Sequence, residues 1–182
     1  MDSLIVSKLA SNLGFRGMCL MFKIFKGKDK TLKILKEANI QSGDVILDYG
    51  CGPGNYSLPA AQIVGDNGKV FAADMHPLSS QFVLKNAKKA KVSNIETILT
   101  SCKTGLNENS IDVILLFDVF HYFKEVKPIL TELDRVLKSD GNLVVEIHHM
   151  DENKAINSIT ATTKFIVQEK KEHLIILKKK SL

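Results

Sequence analysis

The chain has few cysteines and no pattern that would pair them. Cys19, Cys51 and Cys102 are odd in number, far apart and never spaced as Cys-x-x-Cys. That spacing argues against a disulfide framework and against a zinc site, and a reducing compartment, the cytoplasm, is the expected location. No apolar run reaches the roughly 18 residues that a bilayer span requires. The opening Met1-Asp2 lacks the basic, apolar and small-residue succession of a secretion signal. Repeats, low-complexity tracts and domain linkers are missing too, so the 182 residues are expected to form one globular domain with a normal core.

An excess of one charge is missing from most of the chain. The formal net charge is +5, yet residues 1–40 hold eight Lys/Arg against three Asp/Glu, and the other 142 residues hold 17 of each. The basic character therefore belongs to the N-terminal segment. This argues against a nucleic-acid groove along the domain and leaves room for a local membrane or anionic contact through residues 1–40.

The informative stretch runs from Val45 to Tyr56. Val45-Ile46-Leu47-Asp48 reads as a buried strand that enters Gly50-Cys51-Gly52-Pro53-Gly54, followed by a helix from Asn55 to Val64. Alternate glycines permit a sharp turn and a close approach of backbone to ligand. The helix start adds free N–H groups and a positive dipole end. This is a cradle for a nucleotide-type cofactor.

Residues 1–40 read as helices. Leu4, Ile5, Val6, Leu9 and Leu13 form one apolar face, and Met18, Met21, Phe22 and Phe25 recur at i, i+3, i+4, i+7. Asp29 or Thr31 is the expected cap of a further helix. From Gln41 strands and helices alternate. Strands are expected at Val45–Asp48, Lys69–Asp74, Ile95–Leu99, Ile111–Phe117 and Asn142–His148. Helices are expected at Asn55–Val64, from Pro77 through Ser79–Ala90, from Pro128 to Leu137 with Ser139-Asp140-Gly141 as its stop, and around Asn153–Ile159. Lys164–Glu169 and His173–Leu177 read as a closing hairpin. Only about ten residues join the third strand to the fourth, too few for a full helix. The pattern predicts an α/β fold: a doubly wound, Rossmann-like, mostly parallel seven-stranded sheet with a C-terminal antiparallel hairpin, in three α/β/α layers.

In such sheets ligands sit beyond the carboxyl ends of the strands. Asp74, at the end of the second strand, can accept from both hydroxyls of a ribose. A nicotinamide site expects Gly-x-Gly-x-x-Gly, and Asn55 stands where the third glycine belongs. Asp48-x-Gly50-x-Gly52-x-Gly54 instead resembles the first motif of the class I S-adenosylmethionine-dependent methyltransferases. Phe71-Ala72-Ala73-Asp74 resembles the second motif. Ser110-Ile111-Asp112-Val113-Ile114, Asp118-Val119-Phe120-His121-Tyr122-Phe123 and Leu130–Leu143 resemble the segments around the fourth strand, so the likeness covers about Asp44 to Glu146.

The resemblance implies a domain over 41–182 under a helical cap over 1–40. It implies S-adenosyl-L-methionine as cofactor, S-adenosyl-L-homocysteine as product, and a small-molecule methyl acceptor. Gly50, Gly52 and the backbone around Cys51 would line the methionine part, with Asp48 favouring its cationic surroundings. Asp74 would hold the ribose and Met75 would lie against the adenine. Ser101 and Cys102 would meet the adenine edge, although the family often has Asp at the Ser101 position. The Phe117 carbonyl would accept from the ammonium group, and Tyr56 would bound the pocket. A base, where the acceptor needs one, would be His121 or His148. No Asn/Asp-Pro-Pro-Tyr segment follows the fourth strand, which turns the expectation away from methylation of nucleic-acid bases. The Met/Phe-rich segment 18–25 makes an apolar, lipid-like acceptor, such as a quinone precursor, the natural expectation. Two alternatives stay open: a catalytically silent cofactor-binding module and an NAD-dependent oxidoreductase.

Overall fold

A computed structural model of the chain describes residues 11–21, 28–123, 125–147, 151–161 and 163–180. Residues 11–21 form α1. The remaining helices are α2 (Lys28–Glu37), α3 (Ser57–Val64), α4 (Pro77–Ala90), α5 (Val126–Val136) and α6 (Glu152–Thr160). The strands are β1 (Val45–Tyr49), β2 (Lys69–Asp74), β3 (Ile95–Leu99), β4 (Ile111–Leu116), β5 (Leu137–Glu146), β6 (Phe165–Lys170) and β7 (Leu174–Lys179). They form one seven-stranded sheet in the order β3-β2-β1-β4-β5-β7-β6. The pairs from β3 to β5 are parallel, and β7 joins β5 and β6 antiparallel. The predicted α/β/α architecture and closing hairpin are both present.

Alternation along each strand divides the core between the two faces. Ile46, Val70, Val113, Leu115, Val144 and Ile176 pack on one side with Leu35 and Ala38 of α2, Ala60 and Val64 of α3, and Val83 of α4. Leu47, Ala73, Ile114, Leu116, Val145 and Ile175 point to the other side, where α5 supplies Leu130 and Leu133 and α6 supplies Ile159. Both faces are covered, so the inner strands are continuous apolar runs.

The boundaries differ from the sequence pattern in instructive places. Ser139-Asp140-Gly141 does not stop a helix. Helix α5 ends at Val136, the chain turns extended at Leu137, and the turn residues form an irregularity inside β5. There the partner of Ile111 is Leu137 and the partner of Val113 is already Asn142. Pro128 does not open α5 but is its third residue, still within the first turn, where N–H groups lack intrahelical partners. Thr31 is buried inside α2 and Asp29 lies in its first turn, so neither caps that helix. Asn55 and Tyr56 belong to the turn before α3.

The link from β3 to β4 lacks a helix, as its length predicts, and a buried carboxylate holds it instead. Glu132 of α5, only 8% exposed, accepts from the Thr104 amide (2.9 Å) and hydroxyl (2.6 Å). Arg135 donates to the same carboxylate at 2.9 and 2.8 Å and to the Leu106 carbonyl at 2.8 Å. The Arg135 guanidinium, followed by Thr104, outweighs burial and holds the Glu132 carboxyl down at about 2. The folded value lies below the unfolded one of about 4.3. The resulting stability is therefore complete above about pH 5 and is lost as the pH falls toward about 2. Glu132→Gln is expected to lower unfolding stability by about 2 kcal/mol at neutral pH in urea titrations. The gap between variant and wild type should close as the titrations are repeated down to about pH 2.

Candidate functional site

The chain leaves β1 for β2 and β3 on one side, then returns to β4 on the other. The carboxyl ends of β1 and β4 therefore flank the switch point, where an open sheet forms its crevice. A cavity of about 380 Å³ lies there. Its walls include Asp48, Gly50, Cys51, Gly52 and Tyr56 from the first crossover, Asp74 and Met75 after β2, and Phe117 and His121 after β4.

The glycine turn is a built structure. Gly50 has φ +83°, and a Cβ there would fall 2.2 Å from Val119 Cγ2, so the position admits only glycine. The Gly50 and Cys51 amides both donate to the Ala73 carbonyl, at 2.7 and 3.0 Å. Asp74 completes the attachment. One carboxylate oxygen accepts from the Gly52 amide at 2.8 Å and the other from the His76 amide at 2.7 Å. Asp48, 2% exposed, accepts from the hydroxyl of Ser57, the first residue of α3. A carboxylate at a helix start also gains from the dipole.

Cys51 is buried beside Ser79, 3.2 Å from its hydroxyl, which in turn donates to the Gly52 carbonyl. Burial, then the nearby Asp48, pushes the Cys51 thiol well above its ordinary range, so it is a neutral wall group. Tyr56 meets Phe117 edge-on with ring centroids 4.7 Å apart. Its hydroxyl donates to Glu146, at the end of β5, at 3.3 Å. Burial, and next the Glu146 carboxylate, raises the Tyr56 phenol far above its usual range. Asp118, with φ +53°, turns the chain out of β4 in a conformation rare for a non-glycine residue. The 3-10 turn Phe120–Tyr122 follows and carries His121 on the cavity wall.

Ser101 and Cys102 lie elsewhere. They line a separate, more open recess at the end of β3 that shares Met75 with the main cavity. The cause is local: the Thr100 hydroxyl accepts from the Cys102 amide at 3.0 Å and curls the chain back after β3. His148 falls outside the described residues.

The apolar spacing marks Met18 and Met21, whereas Phe15 and His76 carry no sequence signal for the wall. Phe15, Met18 and Met21 of α1 close one side of the cavity. Phe15 stacks on His76, 4.3 Å between centroids and 11° between planes. Ser11 Oγ lies 3.0 Å from His76 Nε2, and His76 Nδ1 accepts from the Leu78 amide, capping α4. The i, i+3 spacing of Met18 and Met21 was the available signal for the roof; nothing local marked His76. Asn55 and Asp118 also face the cavity. Asn55 draws notice as the residue in place of a third glycine, and Asp118 as the first residue of the segment after β4.

A family model described as a methyltransferase domain matches residues 40–180. The chain belongs to this family of class I S-adenosylmethionine-dependent methyltransferases, as the glycine turn and second motif imply, and S-adenosylmethionine is the family's cofactor. It is similar to the (S)-coclaurine N-methyltransferase of Thalictrum flavum subsp. glaucum, 28% identical over 76% of this chain and 40% of that protein. It is also similar to the demethylmenaquinone methyltransferase of Oceanobacillus iheyensis, 25% identical over 60% of this chain and 47% of that one. The chain thus spans less than half the length of these curated relatives. A solved S-adenosylmethionine-dependent methyltransferase from Aquifex aeolicus superposes with a TM-score of 0.67 at 25% identity, over 81% of this chain and 87% of its own.

The Asp74 bracket makes a local prediction. Asp74→Ala leaves two backbone N–H groups without their acceptor and is expected to cost about 2 kcal/mol in chemical denaturation. Amide hydrogen exchange should quicken at Gly52 and His76. The Gly50 and Cys51 amides, held by the Ala73 carbonyl, should stay protected.

Proposed function

We propose that this chain binds S-adenosylmethionine in the cavity between β1 and β4 and transfers its methyl group to a small, apolar acceptor admitted beside α1. The charge of the cavity wall carries this reading. Asp48, Asp74 and Asp118 line it, and among the described residues no lysine or arginine does, although the whole chain is +5. A sulfonium cation is favoured in such a wall. A dinucleotide pyrophosphate would face three carboxylates on this wall, which weighs against the nicotinamide reading.

The residues present fit the cofactor. At Gly52 an added Cβ would meet only Met18 Cε within 4 Å, at 3.8 Å, so the backbone there is bare toward the cavity. Asp74 spends one lone pair of each oxygen on a backbone amide and keeps others for ribose hydroxyls. The Asn55 amide is a further polar group on the wall. Gly50, Gly52 and Cys51 border the methionine part, and Phe117 supplies a carbonyl for its ammonium group. Met75 covers the adenine, and its place between the cavity and the recess of Ser101 and Cys102 suits those residues to the adenine edge.

The cofactor supplies a methyl group already activated on sulfur. The protein's share is alignment of the acceptor and exclusion of water. Tyr56 and Phe117 form one apolar wall, and Phe15, Met18 and Met21 form the roof. Where the acceptor carries a proton, His121 takes it, with His148 as the other candidate. An acceptor of alkaloid or quinone-precursor type, the chemistry named for the two curated relatives, suits this lining.

Ligand-induced stabilisation tests the cofactor. At a hundredfold excess over its dissociation constant, S-adenosylhomocysteine should add about 2.7 kcal/mol and raise the Tm, and NADH should not. The reverse result would falsify the reading. Labelled methyl groups should then pass from cofactor to a small molecule in a metabolite extract, whereas tight binding with no transfer would mark a silent module. His121→Ala is expected to lower kcat about 100-fold for a proton-bearing acceptor, with the S-adenosylhomocysteine stabilisation intact.

A further inference from the structure

Helix α1 is apolar on two opposite sides. Phe15 and Met18 face inward to His76 and the cavity. Leu13, Arg16, Gly17 and Leu20 recur at i, i+3, i+4, i+7 and share the outward stripe, with Leu13 74% and Leu20 61% exposed. A helix with apolar residues on both sides of its axis calls for a second apolar surface.

The cavity mouth is apolar as well. Met75 and Tyr122, both cavity-lining, are each 73% exposed, and Met21 of α1 is half exposed beside them. Leu99 is exposed in the recess that shares Met75. Six of the nine large apolar side chains that the described residues expose therefore stand on α1 or around this end of the sheet. Single exposed apolar residues are ordinary, but a cluster at the mouth of a cavity marks a contact surface.

Charge identifies the occupant. Arg16 lies between Leu13 and Leu20 on the outward stripe. In sequence, Lys8, Lys23, Lys26 and Lys28 flank α1 within the segment that holds the whole net positive charge. Apolar side chains among cations match the boundary between anionic headgroups and acyl chains. We infer that the outward stripe of α1 and the apolar rim of the cavity dock on an anionic lipid surface, so that the cavity opens toward the bilayer. An apolar acceptor would then enter from lipid without crossing water. That delivery role rests on the methyl-transfer reading above, whereas docking does not.

Vesicle co-sedimentation of the full chain tests the inference, with phosphatidylcholine vesicles prepared with and without phosphatidylglycerol. The protein should sediment with the anionic vesicles, be released at high salt, and partition at least about tenfold less onto pure phosphatidylcholine. The double variant Leu13→Glu/Leu20→Glu alters no cavity-lining residue and should partition at least about tenfold less onto anionic vesicles. An unchanged thermal shift with S-adenosylhomocysteine would show that this variant is folded and its cofactor site intact. Absence of wild-type binding to anionic vesicles overturns the inference, and so does undiminished binding by the double variant. A wild-type dimer that the double variant dissociates, seen without any lipid binding, assigns the stripe to a second copy and also overturns it. A missing S-adenosylhomocysteine shift in a wild-type protein that still binds vesicles defeats only the cofactor reading.

Discussion

Asp74 accepts one backbone N–H from the glycine turn and one from the turn after β2, and the cavity depends on that double hold. The glycine turn is the least self-supporting part of the domain: Gly50, Gly52 and Gly54 all have positive φ, which costs backbone entropy that ordinary residues would not lose. It keeps its shape because Ala73 and Asp74, consecutive residues at the end of β2, supply acceptors to three successive amides, Gly50, Cys51 and Gly52. The parallel register places Tyr49 opposite Ala73, so β2 ends where the turn needs it.

The same carboxylate reaches the roof through one intermediary. His76, fixed by its amide to Asp74, uses Nδ1 to cap α4 and its ring face to seat Phe15. The floor, the α4 N-terminus and α1 are thus linked through two side chains, Asp74 and His76. The other wall has a separate anchor. Val119 fills the space that a Cβ on Gly50 would need, and the positive φ of Asp118 brings it there. Cavity shape therefore follows from contacts between the ends of neighbouring strands, in keeping with a fold that varies its chemistry in loops above a constant sheet.

Charge divides along the same line. Three carboxylates line the cavity, and the excess of cations lies in the first 40 residues. The cavity wall is acidic, whereas the basic excess belongs to the N-terminal stretch of the sequence. The net charge of +5 reports the N-terminal excess alone; the three carboxylates do not show in it because residues 41–182 carry 17 charges of each sign.

The strands were legible because the inner ones are rich in apolar residues and bounded by polar turns; β2 matches its predicted limits residue for residue, and so does the edge strand β3, whose branched residues carry the signal. The cofactor class was legible because three glycines and two acidic residues at fixed spacing leave little freedom to a backbone that must turn sharply beside a ligand. Local signals misled where tertiary pairing overrode them, as at Ser139-Asp140-Gly141, which lie inside β5 because the flanking Leu137 and Asn142 both pair with β4. What only the tertiary structure decided is which distant residues share a wall. His76 meets Phe15 across sixty-one positions of sequence, and Ser101 and Cys102 fall behind Met75 because Thr100 curls the chain away. Spacing encodes what one turn of backbone can do, since that is a matter of neighbouring dihedral angles. Side-chain proximity across the sheet depends on register and helix placement, which no single stretch of residues contains.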